Sequence, residues 1–465
     1  MNLTITDNCR DYVINDHEVI DDLSHIADCP LAKLTDKNNN DVWLFPSTEN
    51  RYDDMIEDET ILSLYGNRVS TGNIMGFIGY GDTQVTIRSR FSSGESGHDW
   101  FMQYMLQKVF AINIFKLKSG LSVDGILDVA ALLFPYFLQK ALRQGIYREY
   151  IRCGYNDSRA RGAIDFSAHI KNNYPFKNGK ISYSTREFKY DNSITQLIRH
   201  TIEYLRSKDY AKQILTSSKE TQNLIKQIIE ATPSYCKAER DKILLANMKP
   251  KIHPFYSEYS PLQSLCLQIL KRQKIGYGYS RRRIYGVLFD GAWLWEEYLN
   301  LTMSRAGFDH PRNKTGEGAI YPFIGRKNKY KRYPDYMKQN VIADAKYKRL
   351  VTLTEDFGRI NDNIQREDLN QMISYMHITS SKVGIFICPN EIVLVNPDTG
   401  DFYNDGIGIS AKELNVIKVG DLMGDGGKIM IIGMNIPKMM SSYSEFESAM
   451  VRAESVLLKE LSQIV

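Results

Sequence analysis

The spacing of hydrophobic and polar residues along the chain predicts three regions of different structure. Residues 1–95 carry short alternating runs, such as 42–45 and 84–90, among many Asp, Asn and Gly residues, which indicates short strands joined by turns. Residues 96–275 change to apolar positions three and four apart, the period of a helix. Residues 276–465 combine both periods. We therefore predict a multidomain α+β protein with an N-terminal β-rich module, a central, mainly helical linker domain and a C-terminal mixed α/β domain.

The predicted elements of the last two regions follow from the same periods. Amphipathic spacing predicts central helices over residues 99–110, 126–150, 194–205, 221–229 and 262–270. The C-terminal region is predicted to contain helices over 291–303, 367–378 and 442–461, and strands over 333–337, 341–347, 383–388 and 391–396.

One predicted hairpin of the C-terminal region brings charged residues together. With a turn at 339–340, counting outward along both strands places Asp335 opposite Asp344, with Cβ atoms about 4.5–5.5 Å apart. Lys346 lies two residues beyond Asp344 and shares its face. Carboxylates this close repel one another unless a cation lies between them, and Mg²⁺ prefers oxygen ligands. The hairpin thus predicts a divalent-cation site, and the alternative is a surface strand whose charges face water.

The residues around this hairpin resemble a nuclease family. Pro334-Asp335 and the run Asp-Ala-Lys-Tyr-Lys at 344–348 resemble the PD-(D/E)XK motif, and the run looks like the nuclease core of McrC, the cleaving subunit of GTP-dependent modified-cytosine restriction systems. The segment 294–298 is similar to the helix with the family's first acidic residue, and 371–375 resembles the helix with its Gln-x-x-x-Tyr signature. Four elements in this order are more specific than an Asp-x-Lys alone.

The resemblance implies a PD-(D/E)XK nuclease core that hydrolyses DNA phosphodiester bonds with Mg²⁺, for which Mn²⁺ can substitute. Asp335 and Asp344 are expected to hold the ion together with the backbone carbonyl of Ala345. Lys346 is expected to position the attacking water or to stabilise the charge that develops on the phosphate.

Two flanking helices supply the remaining expected site residues. The neighbouring Glu296 and Glu297 point about 100° apart on a helix, and the resemblance selects Glu296 to complete the metal shell or orient its waters. The alternative is that both glutamates face solvent. Gln371 is expected to orient Lys346, and Tyr375 either contacts phosphate, packs, or belongs to a plain helix face.

Positive charge is concentrated just before and within the hairpin. The formal charge of the chain, +4, does not by itself imply a nucleic-acid partner, but residues 321–350 hold nine Lys/Arg against two Asp. That excess suits a polyphosphate backbone, and the alternative is a solvated basic loop. The expected DNA contacts are Arg326, Lys327, Lys329, Lys331, Arg332 and Lys348.

A second group of arginines also resembles McrC-like chains, in an Arg-Gly-Ala-Ile-Asp segment that begins at Arg161 and ends at Asp165. Arg159 and Arg161 are candidates for contacting DNA or for reaching the nucleotide of a neighbouring subunit. The alternative is internal pairing at a domain junction, Arg161 with Asp165 and Arg186 with Asp191.

The resemblance also implies partners, namely a McrB-like AAA+ GTPase hexamer, whose ring the N-terminal portion would engage, and double-stranded DNA with modified cytosine. The segment 424–428, Gly-Asp-Gly-Gly-Lys, resembles a phosphate loop, but Leu422 and Ile429 occupy positions that require Gly and Ser/Thr. We predict a turn there, so that another chain supplies the motor. The alternative function is a non-catalytic adaptor that keeps the nuclease fold and binds DNA or activates the motor.

The expected location is the cytoplasm. The six cysteines are scattered without a C-x-x-C motif, which favours reduced thiols over a disulfide framework or a zinc site. The first residues lack the basic and apolar regions of a secretion signal. The most apolar helical stretch, 121–138, contains two aspartates and is too polar to cross a membrane.

Overall fold

The computed structural model describes residues 2–34, 41–45, 60–81, 83–92, 99–110, 123–176, 178–208, 215–216, 218–248, 253–275, 284–311, 318–324, 330–353, 360–391, 414–423, 426–438 and 440–464. Within these residues the strands are β1 (Asn2–Thr6), β2 (Tyr12–Val13), β3 (Asp41–Phe45), β4 (Leu62–Tyr65), β5 (Arg68–Thr71), β6 (Ile74–Tyr80), β7 (Thr83–Arg88), β8 (Glu149–Asp157), β9 (Ala163–Ile164), β10 (Ile181–Lys189), β11 (Tyr285–Asp290), β12 (Tyr336–Lys338), β13 (Val341–Ala345), β14 (Val351–Leu353), β15 (Ile360–Asp362), β16 (Val383–Asn390), β17 (Leu414–Asp421) and β18 (Lys428–Asn435).

The helices in the same residues are α1 (His17–Ser24), α2 (Leu31–Leu34), α3 (Trp100–Phe110), α4 (Val123–Arg143), α5 (Phe166–Asn173), α6 (Ser193–Arg206), α7 (Lys219–Ala231), α8 (Arg240–Ala246), α9 (Tyr259–Ile275), α10 (Gly291–Arg305), α11 (Arg366–Thr379) and α12 (Tyr443–Ile464), with a 3₁₀ turn at Lys237–Glu239. None of these helices is long and apolar enough to span a membrane.

The chain forms two compact units that divide it differently from the three predicted domains, 1–95, 96–275 and 276–465. One unit combines Met1–Ala111 with Ser280–Val465, and the other is Ile112–Tyr279. The reason is a strand from late in the sequence. β11 completes an N-terminal sheet of order β1-β7-β6-β11-β3, pairing antiparallel with β6 and parallel with β3. The predicted N-terminal module therefore shares its core with residues of the predicted C-terminal domain.

A glycine permits the close packing of β6 against β11. Gly76 has φ +122°, and a Cβ there would lie 2.1 Å from the carbonyl oxygen of Val287 on β11. Only a residue without a side chain fits this contact. Gly76 thus allows the two strands to approach closely.

The sheet that carries the candidate site has the order β12-β13-β16-β18-β17. β13, β16 and β18 are parallel neighbours, and most of their residues are buried, as expected for central parallel strands. α11 contacts β13 and β16, and its Met372 and Met376 belong to the core on that side. α12 contacts β17 and β18. The mixed α/β character predicted for this region is confirmed, while the predicted strand 391–396 lies, apart from residue 391, outside the described residues.

The central unit contains a sheet that the helical prediction missed. The helix predicted over 126–150 ends at Arg143, and Gly145 follows with φ +88°. β8 and β10 then form a long antiparallel pair, with β9 at the edge of β10. Side chains alternate along β8 between exposed and half-buried positions, the period of two expected of a strand, and the predicted helix overlaps this strand only at residues 149 and 150. The helices predicted over 194–205, 221–229 and 262–270 lie within α6, α7 and α9.

Candidate active site

The acidic hairpin has the predicted register. Lys338 pairs with Val341 around a two-residue turn, in which Gln339 adopts a positive φ of 46°. The strands are shorter than predicted, because the last pair of the ladder is Tyr336 with Ala343 and Asp335 lies just outside it. The Asp335 side chain replaces a backbone pair at this point, since its Oδ2 accepts a hydrogen bond of 2.7 Å from the Ala345 amide. This bond fixes the Asp335 carboxylate beside the end of β13.

Asp335 and Asp344 form a pocket that disfavours two negative charges. Asp344 is buried, at 3% exposure. Desolvation raises the pKa of Asp335 well above its usual range, and the charges of Asp344 and Glu296 raise it further, against a smaller opposing effect of the Ala345 amide. Desolvation also raises the pKa of Asp344, although Lys346 opposes that shift. The two carboxyls therefore lie close enough for the charge of one to raise the pKa of the other, as the predicted register requires.

Lys346 lies among three acceptors. Its Nζ is 2.6 Å from Asp344 Oδ2, donates to Gln371 Oε1 at 3.1 Å, and lies 3.3 Å from Asp368 Oδ1. Burial lowers the pKa of Lys346, but the surrounding carboxylates outweigh it, and the pKa is raised above its ordinary value. Lys346 is thus held as an ammonium ion directed at the acidic pair.

Gln371 and Tyr375 continue this network along α11. Gln371 Nε2 donates to the Tyr375 hydroxyl at 2.8 Å while its Oε1 accepts from Lys346. Burial raises the pKa of Tyr375 to about 12, so it remains a neutral phenol at physiological pH. The structure therefore brings Gln371 into contact with Lys346, and Tyr375 contacts Gln371 on the side away from Lys346.

Glu296 lies at the edge of the pocket. It is on α10, whose first turn is capped by the Asp290 carboxylate. Its Oε1 is 3.7 Å from His310 Nε2, and the other ring nitrogen of His310 is 2.7 Å from the backbone oxygen of Asp335. No group of three or more His, Cys, Asp or Glu side chains in the described part of the chain is arranged to hold a metal ion. Glu296 thus acts on Asp335 through its charge and is not part of a three-acid cluster.

Asp368 is a site residue that the sequence analysis missed. It is 7% exposed and lies between two lysines, with Oδ1 3.3 Å from Lys346 Nζ and Oδ2 2.9 Å from Lys348 Nζ. Gln365 also accepts from Lys348, at 2.9 Å. Asp368 precedes Gln371 by three residues, so both lie on one face of α11. That spacing was a usable signal.

Tyr347 connects the hairpin to the N-terminal sheet, which no local pattern indicated. Its hydroxyl is 2.7 Å from Ser89 Oγ, and the Arg90 guanidinium lies 4.8 Å from its ring centroid. Gly291 makes room for the ring, because a Cβ there would lie 2.8 Å from it. Arg349 adds a second link by donating to the backbone oxygen of Arg90 at 2.8 Å. The segment after the site is therefore anchored on residues that follow β7.

The predicted DNA-binding residues are only partly described. Lys331 and Arg332 are exposed, and the Arg332 backbone pairs with Ile320. Lys348 is held by Asp368 and keeps 41% of its side chain exposed. Three of the predicted contacts lie outside the described residues: Arg326, Lys327 and Lys329.

The arginine pairs predicted in the central unit have different partners. Arg161 pairs with Asp157 at 3.2 Å and donates to the Tyr183 hydroxyl at 3.2 Å, so the predicted pair with Asp165 is wrong. Asp165 instead accepts the Ala168 amide as the N-cap of α5. This assignment follows from local geometry, because Asp165 directly precedes a helix and needs its carboxylate there.

The second predicted pair is also replaced. Asp191 accepts hydrogen bonds from Gln196 Nε2 at 2.6 Å and from the Ser234 amide at 2.9 Å. Arg186 lies instead opposite Arg152 in the β8–β10 register. Arg159 is exposed, with its backbone amide donating to Asp157 at 3.0 Å.

The phosphate-loop-like segment lies between two strands. β17 and β18 are antiparallel neighbours, and the Leu422 amide donates to the Gly427 oxygen at 2.6 Å. Residues 424 and 425 lie outside the described part of the chain. The described residues agree with the predicted turn.

The chain is similar to one protein family in sequence and to solved structures in fold. The sequence profile of a family described as McrBC 5-methylcytosine restriction system component matches residues 69–389. No curated protein matches the chain. One similar solved structure is the half-complex from a tetradecameric assembly of Thermococcus gammatolerans McrB AAA+ hexamers with bound McrC; the match has 16% identity and a TM-score of 0.50 and covers 100% of both chains. A second, the cryo-EM structure of the Thermococcus gammatolerans McrBC complex, matches with 15% identity and a TM-score of 0.33, covering 67% of this chain and 90% of that chain. At such identities the first likeness concerns the fold alone.

Proposed function

This chain belongs to the family of McrBC 5-methylcytosine restriction system components, and from that membership we propose that it is the DNA-cleaving subunit of a McrBC-like complex. The proposed reaction is hydrolysis of phosphodiester bonds in double-stranded DNA with Mg²⁺. One observation carries it: the Ala345 amide holds the Asp335 carboxylate at the end of β13, beside the buried Asp344, whose Oδ2 lies 2.6 Å from Lys346 Nζ.

The donor set supports a hard divalent cation. The carboxylates of Asp335 and Asp344 and the carbonyl of Ala345 are the oxygen ligands that Mg²⁺ and Mn²⁺ prefer. Both acids have a raised pKa, so the pocket favours neutralisation by a positive ion. When bound, the ion would polarise the phosphate and lower the pKa of a water ligand. Glu296, whose charge acts on Asp335, is proposed to orient such waters.

The remaining residues supply charge and orientation. Lys346 would stabilise the negative charge that develops on the phosphate, because its ammonium is held in place before the substrate arrives. Gln371 and Asp368 provide that orientation through their contacts with Nζ. Lys348 and the exposed basic residues before β12 are proposed to hold the DNA backbone.

We also propose a McrB-like AAA+ GTPase as the partner. The family match supports this assignment, as does the fold shared with the chain from the assembly of McrB AAA+ hexamers with bound McrC. The exposed Arg159 remains a candidate for contact with that partner, and the same holds for engagement of its ring by the N-terminal segment.

A non-catalytic adaptor is the second candidate function. Two observations favour it: the described residues contain no group of three or more His, Cys, Asp or Glu side chains able to hold a metal, and Lys346 Nζ lies 2.6 Å from the buried Oδ2 of Asp344, where it already balances that carboxylate's charge. An adaptor would stimulate the GTPase or bind DNA without cutting it.

A cleavage assay separates the two functions. The purified chain is combined with its AAA+ partner, GTP and Mg²⁺ on plasmid DNA that contains 5-methylcytosine. We expect cutting by the unaltered protein and a loss of at least about 100-fold for Asp344→Asn. Asp421→Asn is the matched control, because Asp421 is an exposed acid of the same sheet. If neither the unaltered protein nor Asp344→Asn cuts while both stimulate the GTPase equally, the adaptor is correct.

A further inference from the structure

The β8–β10 pair exposes arginines and aromatic rings on one face. The register places Tyr150 opposite Phe188 and Arg152 opposite Arg186, and opposed residues project from the same face. Tyr150 is 72% exposed, Phe188 is 51% exposed, and the Arg152 side chain is 70% exposed. Together with Arg148, which precedes β8, these residues are called the arginine–aromatic face.

Charge is segregated between the two sides of this strand pair. The side with the arginine–aromatic face has two arginines and no acid among its eight paired positions, which are Tyr, Arg, Gly and Asn on β8 and Ser, Ser, Arg and Phe on β10. The acids of the pair, Glu149, Asp157 and Glu187, all lie on the other side. There Glu187 is already neutralised by Lys189 at 2.9 Å. The arginine–aromatic face is therefore a local excess of positive charge.

The arrangement is unfavourable for the fold alone. Like charges directly opposite one another destabilise an antiparallel pair. Arg152 finds Ser184 Oγ at 3.0 Å, which is neutral, and Asp165 only at 3.9 Å, a carboxylate that also caps α5. The Tyr150 and Phe188 rings pack against each other, with centroids 4.9 Å apart, yet each stays more than half exposed to water. A like-charged pair beside exposed rings is typical of binding surfaces.

The chemistry of the face selects the ligand. Arginine binds phosphate through two parallel hydrogen bonds, and aromatic side chains stack on nucleic-acid bases. A third arginine extends the positive charge, because the Arg148 guanidinium lies 5.8 Å from the Phe188 ring and 3.7 Å from the Tyr190 ring. In a duplex the faces of the bases are covered by their neighbours, whereas in a single strand they are free. An anionic polymer with free ring faces matches both parts of this surface.

We propose that the arginine–aromatic face binds single-stranded DNA, with phosphates at Arg152 and Arg186 and bases against Tyr150 and Phe188. The proposal rests on the proposed function only in taking DNA as the nucleic acid. It adds a contact in the central unit that is distinct from the acidic hairpin.

The first test measures the salt dependence of binding. The full chain is titrated against a dye-labelled single-stranded oligonucleotide in EDTA, at several salt concentrations, by fluorescence anisotropy. Arg152→Gln combined with Arg186→Gln should weaken binding and reduce the slope of log Kd against log salt by about 1.4, since each phosphate contact on a single strand contributes about 0.7. Arg206→Gln is the matched control, an exposed arginine of α6 that pairs with Glu203.

The second test removes the rings. Tyr150→Ala and Phe188→Ala should each weaken binding about tenfold and leave the salt slope unchanged, because stacking releases no counterions. Phe255→Ala is the control, since Phe255 is 80% exposed in the same unit. The arginine and aromatic variants are thus expected to differ in kind and not only in size.

A charge reversal separates binding from folding. Arg186→Glu replaces a repulsive cross-strand pair by an attractive one with Arg152, so its melting temperature should equal or exceed that of the unaltered protein. Its affinity for the single strand should nevertheless fall. A loss of both would trace the weaker binding to a damaged fold.

Three results would overturn the proposal. The first is single-strand binding that is unchanged in the double glutamine variant. The second is binding to duplex DNA only, with no effect of the alanine variants. The third is that the variants of the arginine–aromatic face bind DNA normally but no longer associate with the AAA+ partner. The last would make the face a protein contact. Because all binding is measured in EDTA, the binding test does not depend on a metal ion at the acidic hairpin. A nuclease that fails to cut would then contradict only the proposed function.

Discussion

Two antiparallel strand pairs of this chain place like charges opposite one another, and they differ in sign and in exposure. The β12–β13 hairpin brings Asp335 and Asp344 together in a desolvated pocket. The β8–β10 pair sets Arg152 opposite Arg186 in contact with solvent. An enclosed acidic pair suits a small cation, whereas an open basic pair beside aromatic rings suits a long anion. Sign and burial together thus indicate what kind of ligand offsets the repulsion.

The largest expected effect comes from removing one charge of the acidic pair. Asp335→Asn should reduce cleavage at least about 100-fold, since a metal ligand is lost. It should also leave the melting temperature of the metal-free protein unchanged or higher, because the repulsion with Asp344 disappears. Nuclease assays and thermal melts, each with and without Mg²⁺, test this. Two results together would contradict the idea that a cation offsets the repulsion of the acidic pair. The metal-free variant would melt at a lower temperature than the unaltered protein, and Mg²⁺ would raise the melting temperature of both proteins equally.

The next effect concerns how Lys346 is held. Asp368→Asn removes a carboxylate 3.3 Å from Lys346 Nζ, and we expect cleavage to fall about 10–100-fold, as for other residues that orient a metal site. Gln365→Ala is the control, since Gln365 contacts Lys348 but is not a described partner of Lys346. Single-turnover cleavage rates at saturating DNA measure the effect. Equal losses in the two variants would mean that Lys348, not Lys346, is the residue that matters.

The two units should also respond differently to pH. Desolvation raises the pKa of Asp7 and of Asp99 to about 6, so the folded state binds more protons than the unfolded state between about pH 4 and pH 6. The unfolding free energy of the unit that contains Asp7, Asp99 and the acidic hairpin is therefore expected to fall by roughly 1–3 kcal/mol as pH rises through this window. The half-buried Glu187 of the other unit has its pKa lowered from 4.5 to about 2, chiefly by the Tyr155 hydroxyl, so its contribution is present above about pH 4.5 and is lost as pH falls from there to about 2.

The tryptophans make this difference measurable. Trp43, Trp100, Trp293 and Trp295 all belong to the unit with the acidic hairpin. Denaturant unfolding followed by tryptophan fluorescence at several pH values therefore reports on that unit. Asp99→Asn should flatten its pH dependence. A dependence that is as steep in the variant would assign the effect to other groups.

The smallest expected effect is at the anchor of the hairpin. Tyr347→Phe removes the hydrogen bond to Ser89 Oγ inside the protein and should cost about 1 kcal/mol of unfolding free energy. Tyr65→Phe, at a residue that is 88% exposed, should cost nothing measurable. Urea unfolding with fluorescence detection compares them. A loss of unfolding free energy no larger than that of the control would show that the hydrogen bond between Tyr347 and Ser89 does not stabilise the unit.

The register of the acidic hairpin could be predicted because a two-residue turn fixes the pairing of every residue that follows. The partners of β11 could not, because β3 and β6 lie far away in sequence and no local pattern specifies them. Residues 149–157 alternate with a period of two, but their partner strand, residues 181–189, lies more than twenty residues away and no turn between them indicates the pairing. Asp368 lies outside the Gln-x-x-x-Tyr pattern, and its place in the site depends on contacts with Lys346 and Lys348 that form only when α11 packs beside the hairpin. Local geometry was thus predictable, while distant pairing and shared helix faces were not.

The sheet order β1-β7-β6-β11-β3 has a consequence for biosynthesis. Among the strands that the structure describes, β3 pairs with β11 alone, so none of them is available to β3 until residues 285–290 have left the ribosome. While the unit Ile112–Tyr279 is being translated, the edge of β6 that will pair with β11 remains unpaired. Chaperone binding to unfinished chains should therefore persist until β11 emerges, and N-terminal fragments that stop before it should be prone to aggregate.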